Sequence, residues 1–134
     1  MKVALALYHL GMFYRHNKDF SEAQAKGRQA VAVARTCSDP KTLAVCLLDA
    51  AKSFNAAGRP TPEAIPLLRE AMHLRRRVVP HLLALLDGTR LLVKALEGLA
   101  SEGRQDEAKA ILEEELKEAP IDADLLRLKR TLER

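Results

Sequence analysis

Aromatic side chains are scarce in this sequence. Tryptophan is absent, and three Phe and two Tyr are the only aromatics in 134 residues. Apolar residues still make up 48% of the chain, so a continuous core has to be built from Leu, Ala and Val. Such a core suits stacked helices. The length fits one domain, residues 1–134. No run of 18 apolar residues occurs, which excludes a transmembrane helix. The opening MKVALALYHLG carries one lysine and a short apolar stretch. No small-residue cleavage site follows it, and helical periodicity runs straight through, so it is not read as a signal peptide.

Chemistry-bearing patterns are equally sparse. Cys37 and Cys46 are the only cysteines, nine residues apart and without neighbouring His ligands. They are expected to be free thiols in a reduced, cytoplasmic setting rather than a disulfide or a metal site. Four histidines are present: His9, His16, His73 and His81. His9 and His16 share a helical face, but no acid lies between them in a zinc-protease arrangement. There is no G-x-S-x-G and no phosphate loop, and the two glycines of GLASEG (Gly98 to Gly103) lie at a helix end. An enzyme, a cofactor, a metal or a small-molecule substrate is therefore not expected.

What is present is a repeated skeleton. Leu7, Leu10-Gly11, Tyr14, then Ala23, Gly27 and Ala30 form the first copy. Leu47, Ala50-Ala51, Phe54, then Ala64, Leu68 and Ala71 form the second. The third reads Leu92, Ala95-Leu96, Leu99, then Ala108, Leu112 and, in a small-residue position, Glu115. In each copy the first half places apolar residues on one stripe of a helix. The small residues mark crossings where two helices approach closely, and Gly27, a weak helix former, is placed at such an approach.

Local signals divide the copies into helix pairs. Residues 2–17 and 20–36 form the first pair, with Asn17 expected in the left-handed conformation and Asp19 or Ser21 as the next cap. Asp39-Pro40 opens residues 41–57, and Gly58 closes them. Thr61-Pro62-Glu63 starts a helix reaching about Val78, with Pro66 bending its first turn. The third pair runs from about His81 to Glu102, closed by Gly103, then 105–118. A break at Asp87-Gly88 with Thr89 as cap is the alternative for its first helix. Asp122 caps a last helix, 123–133, whose stripe is Ile121, Leu125, Leu128 and Leu132, with Arg127, Lys129 and Arg130 outside.

This skeleton resembles the tetratricopeptide repeat, in the long-period form found in kinesin light chains. The key alanines Ala23, Ala64 and Ala108 give spacings of 41 and then 44 residues, longer than the usual period of about 34. Asp39-Pro40 resembles the His-Pro that opens such repeats, and Glu63 to Val78 resembles the second helix of that class. The resemblance implies an all-α fold, a right-handed superhelix of about three helix pairs (3–37, 40–79 and 80–119) closed by a capping helix at 121–134. It implies a non-enzymatic scaffold that binds a peptide or partner helix in a concave groove lined by the first helix of each pair. Projection of the pattern places Tyr8, Met12, Arg15, Leu48, Asp49, Lys52, Asn55, Arg90, Lys94 and Glu97 there. The paired asparagines of kinesin light chains are replaced by LYHLG and LLDAA, so a kinesin-type cargo is not expected. Arg90 and Lys94 match two cations of the family's carboxylate clamp, whereas Tyr8, Met12 and Asp49 do not match the rest of it.

Charge is unevenly spread. Residues 1–80 carry 13 Lys/Arg against 6 Asp/Glu, whereas residues 81–119 carry 5 against 9. A groove rich in cations favours an acidic partner. Arg75-Arg76-Arg77, after Arg69 and His73, is read as the solvated end of an outer helix. Three consecutive residues cannot share one helical face, and no aromatics are interleaved for stacking bases, so nucleic acid is not an expected partner. The alternative to a groove binder is a self-assembly module. The apolar set Val3, Leu5, Leu7 and Leu10 exceeds what one neighbouring helix covers, so a homodimer through the N-terminal helix is also expected.

Overall fold

Three aspartates set where helices begin. Asp19 accepts from the Glu22 backbone N–H at 3.3 Å and starts α2 (Phe20–Arg35). Asp39 accepts from the Lys41 N–H at 3.1 Å and the Thr42 hydroxyl at 2.8 Å at the start of α3 (Pro40–Asn55). The Asp39 carboxyl is held below its usual range, chiefly by the Thr42 hydroxyl bond. Asp122 accepts from the N–H groups of Asp124 and Leu125 at 3.0 and 3.1 Å and starts α7 (Ala123–Leu132). Each carboxylate satisfies N–H groups that have no partner within the helix. In this computed structural model, residues 2–55, 62–78 and 88–133 are described. The remaining helices are α1 (Lys2–His16), α4 (Ala64–Arg77), α5 (Gly88–Ser101) and α6 (Gln105–Glu118). Among the described residues the chain is all-α, without strands.

Two turns share one geometry. After α5, Gly103 has φ +87°, its N–H bonds the Ala100 carbonyl, and the Arg104 N–H bonds the Leu99 carbonyl. After α1, Lys18 has φ +62°, its N–H bonds the Arg15 carbonyl, and the Asp19 N–H bonds the Tyr14 carbonyl. This is the Schellman ending, and glycine is its easiest occupant. The left-handed residue is thus Lys18, not Asn17. The Asn17 side chain instead donates to the Phe13 carbonyl at 2.9 Å, which holds residue 17 against α1 and moves the reversal one position on. The expectations for Gly58, for Thr61 as a cap and for a helix over His81–Asp87 fall on 56–61 and 79–87, outside the described residues.

Helices pack in succession: α1 on α2, α3 on both, α4 on α3, α5 on α4, and α6 and α7 on α5. The first helices of the pairs also touch, α1 with α3 and, more slightly, α3 with α5, and the last helix α7 packs on α5 as well. The small-residue skeleton sits at these crossings. Ala23, Ala64 and Ala108 are completely buried. A Cβ at Gly27 would lie 3.1 Å from both Cα and Cβ of Ala50, so α2 and α3 approach at the limit that glycine allows. The core is one cluster of Leu and Ala running from α1 to α7. In α7, Leu125, Leu128 and Leu132 are buried as expected. Ile121 is not part of that stripe: it precedes the cap and is 90% exposed.

The arginine run after Arg69 is not a solvated helix end. Arg69 bonds Glu115 at 2.9 Å and also pairs with Glu114. Arg76 bonds Glu115 at 2.7 Å and Glu118 at 3.2 Å, and Arg77 lies 3.6 Å from Glu118. His73 faces Glu118 at 3.3 Å. The basic face of α4 therefore meets the acidic face of α6, which accounts for much of the charge asymmetry along the chain.

Candidate functional site

Spacing on α5 brings three of the expected groove residues together. Arg90, Lys94 and Glu97 stand at i, i+4 and i+7, one helical face. The opposite face, Leu92, Ala95, Leu96 and Leu99, is buried and anchors the helix. Facing them, α7 presents Asp124, Arg127, Leu128 and Thr131 at the same kind of spacing. The two helices enclose a cleft of about 620 Å³ with Leu91, Val93 and Leu128 among its apolar lining. The far end of α7 is tied down by Gln105, whose amide donates to the Leu132 carbonyl at 2.8 Å.

Arg90 and Lys94 are exposed, and among the described residues neither makes an ion pair. Arg127 lies 3.7 Å from Asp124 on its own helix. The cleft thus offers two cations without an ion pair among the described residues, a third paired with Asp124, the Glu97 carboxylate, and an apolar lining. Projection of the repeat does not place Arg127, Leu128 and Thr131 in the groove, because it treats the last helix only as a cap. Their spacing, i, i+1 and i+4, was the available signal.

The first two pairs place their candidates differently. Arg15 reaches across to α3 and donates to the Asp49 carboxylate at 2.7 Å, the Asp49 carbonyl at 3.2 Å and the Ser53 hydroxyl at 3.2 Å. Its guanidinium is committed to this seam. Leu48 is buried in the core, whereas Tyr8, Met12, Lys52 and Asn55 are half-buried. Asp49 is buried, and among the described residues its Oδ2 has no hydrogen-bond partner. Burial raises the Asp49 carboxyl above its ordinary range, opposed by the hydrogen bond and charge of Arg15. Burial, reinforced by Asp49, also raises the Tyr8 phenol. The neighbouring Cys46 thiol is pushed up to about 11, chiefly by burial, and so stays protonated near neutral pH. Cys37 and Cys46 are both free.

Among the described residues no cluster of His, Cys, Asp or Glu is placed to hold a metal ion. Among them, too, no helix is long and apolar enough to cross a membrane. Comparison with protein-family models, with curated proteins and with solved structures finds no match to the chain.

Proposed function

We propose that the chain is a non-enzymatic interaction module of the tetratricopeptide type, its helix pairs arranged as a right-handed superhelix. A peptide or partner helix carrying acidic side chains would lie along the first helices of the pairs. Its acidic groups would pair with Arg90, Lys94 and Arg127, and its apolar side would pack on Leu91, Val93 and Leu128. Tyr8, Met12 and Lys52 would extend the contact toward the N-terminal pairs. Arg15 and Leu48 take no part in it, being committed to Asp49 and to the core.

One observation carries this reading: Arg90 and Lys94 stand exposed beside Arg127 over an apolar-lined cleft. The other strongly basic helix, α4, has its charges answered within the fold by α6. The order of packing, with α1 touching α3 and α3 more slightly touching α5, supports the superhelical part. A panel of fluorescent acidic peptides of helical design, read by anisotropy, tests it. Binding is expected to weaken with salt, since these charges are solvent-facing. Reversing Arg90 and Lys94 to Glu together should weaken it roughly tenfold or more. No binding across the panel, or affinity unchanged in the double variant, would sink the proposal.

A further inference from the structure

The internal repeat shows what the outer face of α1 is not built for. Residues 7–11 match residues 47–51, an offset of 40, so Ala6, His9, Leu10 and Phe13 correspond to Cys46, Asp49, Ala50 and Ser53 of α3. On α3 all four are buried, and Ala50 meets Gly27 at the junction with α2. The same junction positions on α5 are Ala95 and Gly98, again small. On α1 they are Leu10 and Phe13, 43% and 60% exposed, with Val3 beside them at 61%. Another helix pair stacked on α1 by the same close approach would collide with these side chains. Large apolar residues suit instead an ordinary helix–helix contact, with axes roughly 8–10 Å apart.

The stripe is self-complementary. When two α1 helices run antiparallel about a two-fold axis near residue 8, Phe13 of one copy lies opposite Val3 of the other. Leu10 then lies opposite Ala6. Each large side chain meets a smaller one, and every contact occurs twice, as an isologous interface requires. We propose that this face binds a second copy of the chain, through an antiparallel α1–α1 contact independent of the α5–α7 cleft. At 15 residues, α1 spans roughly 22 Å. One such helix pair falls short of the roughly 1,200 Å² typical of stable complexes, so the dimer is reversible, with a midpoint in the micromolar range. The chain carries a net charge of +4, so two copies repel and salt tightens the dimer.

Sedimentation velocity of the full 134-residue chain, from low to high micromolar and at low and high salt, tests this directly. The expected result is a monomer–dimer transition whose midpoint falls with salt. Phe13→Glu places two charges in the contact and should raise the midpoint roughly a hundredfold. Its melt should match the parent's, because Phe13 is already exposed within one chain. At high salt, where the net charge is screened, Arg127→Glu should leave the midpoint unchanged. His9→Cys should form an intermolecular disulfide with its own copy, and Val3→Cys should not. A monomer at high concentration and high salt overturns the proposal and assigns the face to another segment or protein. A dimer indifferent to Phe13→Glu overturns it as well, and self-linking at Val3→Cys would refute the antiparallel register.

Discussion

Two buried carboxylates, Asp49 and Glu115, solve the same problem unequally. Asp49 is 5% exposed and Glu115 4%. Glu115 lies between two guanidiniums, with Oε1 taken by Arg69 and Oε2 by Arg76. Asp49 has one cation, Arg15, on Oδ1, and among the described residues its Oδ2 has no partner. That oxygen packs over Gly11, where an added Cβ would stand 3.4 Å from it. A buried charge is tolerated when its hydrogen-bonding capacity is filled and is costly when it is not. Glu115 is thus a fully paired carboxylate that ties two outer helices together, although among the described residues Arg76 Nη2 beside it is buried without a partner. The α1–α3 seam is a marginal pair in which burial outweighs the cation and leaves the carboxyl's pKa raised.

The largest expected effect comes from widening that inequality. Arg15→Met leaves Asp49 buried with no hydrogen-bonded cation, only the more distant charge of Lys52 and His16, and should destabilise by about 3 kcal/mol at pH 8. The effect must shrink in acid. An acid whose folded-state pKa exceeds its unfolded value of about 3.9 binds its proton more tightly when folded. Its stabilising contribution is complete below the unfolded pKa and is lost as pH rises through the folded one. Removing Arg15 raises the folded pKa further, so the variant should approach the parent near pH 4. Urea unfolding across that range measures it, and a deficit as large at pH 4 as at pH 8 would show that Asp49 is not the group responsible.

Removing the satisfied carboxylate should cost less. Glu115→Gln takes the charge from between Arg69 and Arg76, but Glu114 and Glu118 remain beside them. Both guanidiniums also keep some access to water, at 34% and 20% side-chain exposure. A loss of about 2 kcal/mol follows, with little pH dependence between 5 and 8. A loss larger than that of Arg15→Met would reverse the ranking of the two seams.

The two seams also differ in how far the sequence disclosed them. Helix pairs, the Asp122 cap, the start at Asp39-Pro40, Asp19 as one of two candidate caps, the Gly103 turn and the close approach at Gly27 are readable because each depends on a few adjacent residues or on strict spacing. Glu115 stood out as a charge in a position that holds Ala30 and Ala71 in the other copies. Its partners did not, because Arg69 and Arg76 lie 46 and 39 residues away. For the same reason the arginine run read as a solvated end. Periodicity placed Arg90 and Lys94 on one face, and the cleft gathers both. The resemblance to the tetratricopeptide repeat also implies a groove position for Arg15 and Leu48, although one reaches across to Asp49 and the other turns into the core. A 100° step distinguishes faces only coarsely, and a long arginine can cross from one helix to the next.

The smallest expected effect is the most diagnostic. Asp49→Asn keeps an acceptor for the Arg15 guanidinium and nearly the same shape over Gly11. It removes the desolvation of a carboxylate, but also the charge that Arg15 faces. These two changes oppose each other, and because the wild-type carboxyl is already raised they should nearly cancel. The expected change at pH 8 is within about 1 kcal/mol of zero. The clearer signature is in the slope. The parent loses stability as pH rises through the Asp49 titration, and the variant has nothing there to titrate. Stability measured from pH 4 to 8 should therefore be flatter in the variant, with its relative stability improving toward the alkaline end. A variant that keeps the parental slope, or falls by as much as Arg15→Met, would mean that the Arg15–Asp49 pair is well compensated, and the contrast between the two seams would disappear.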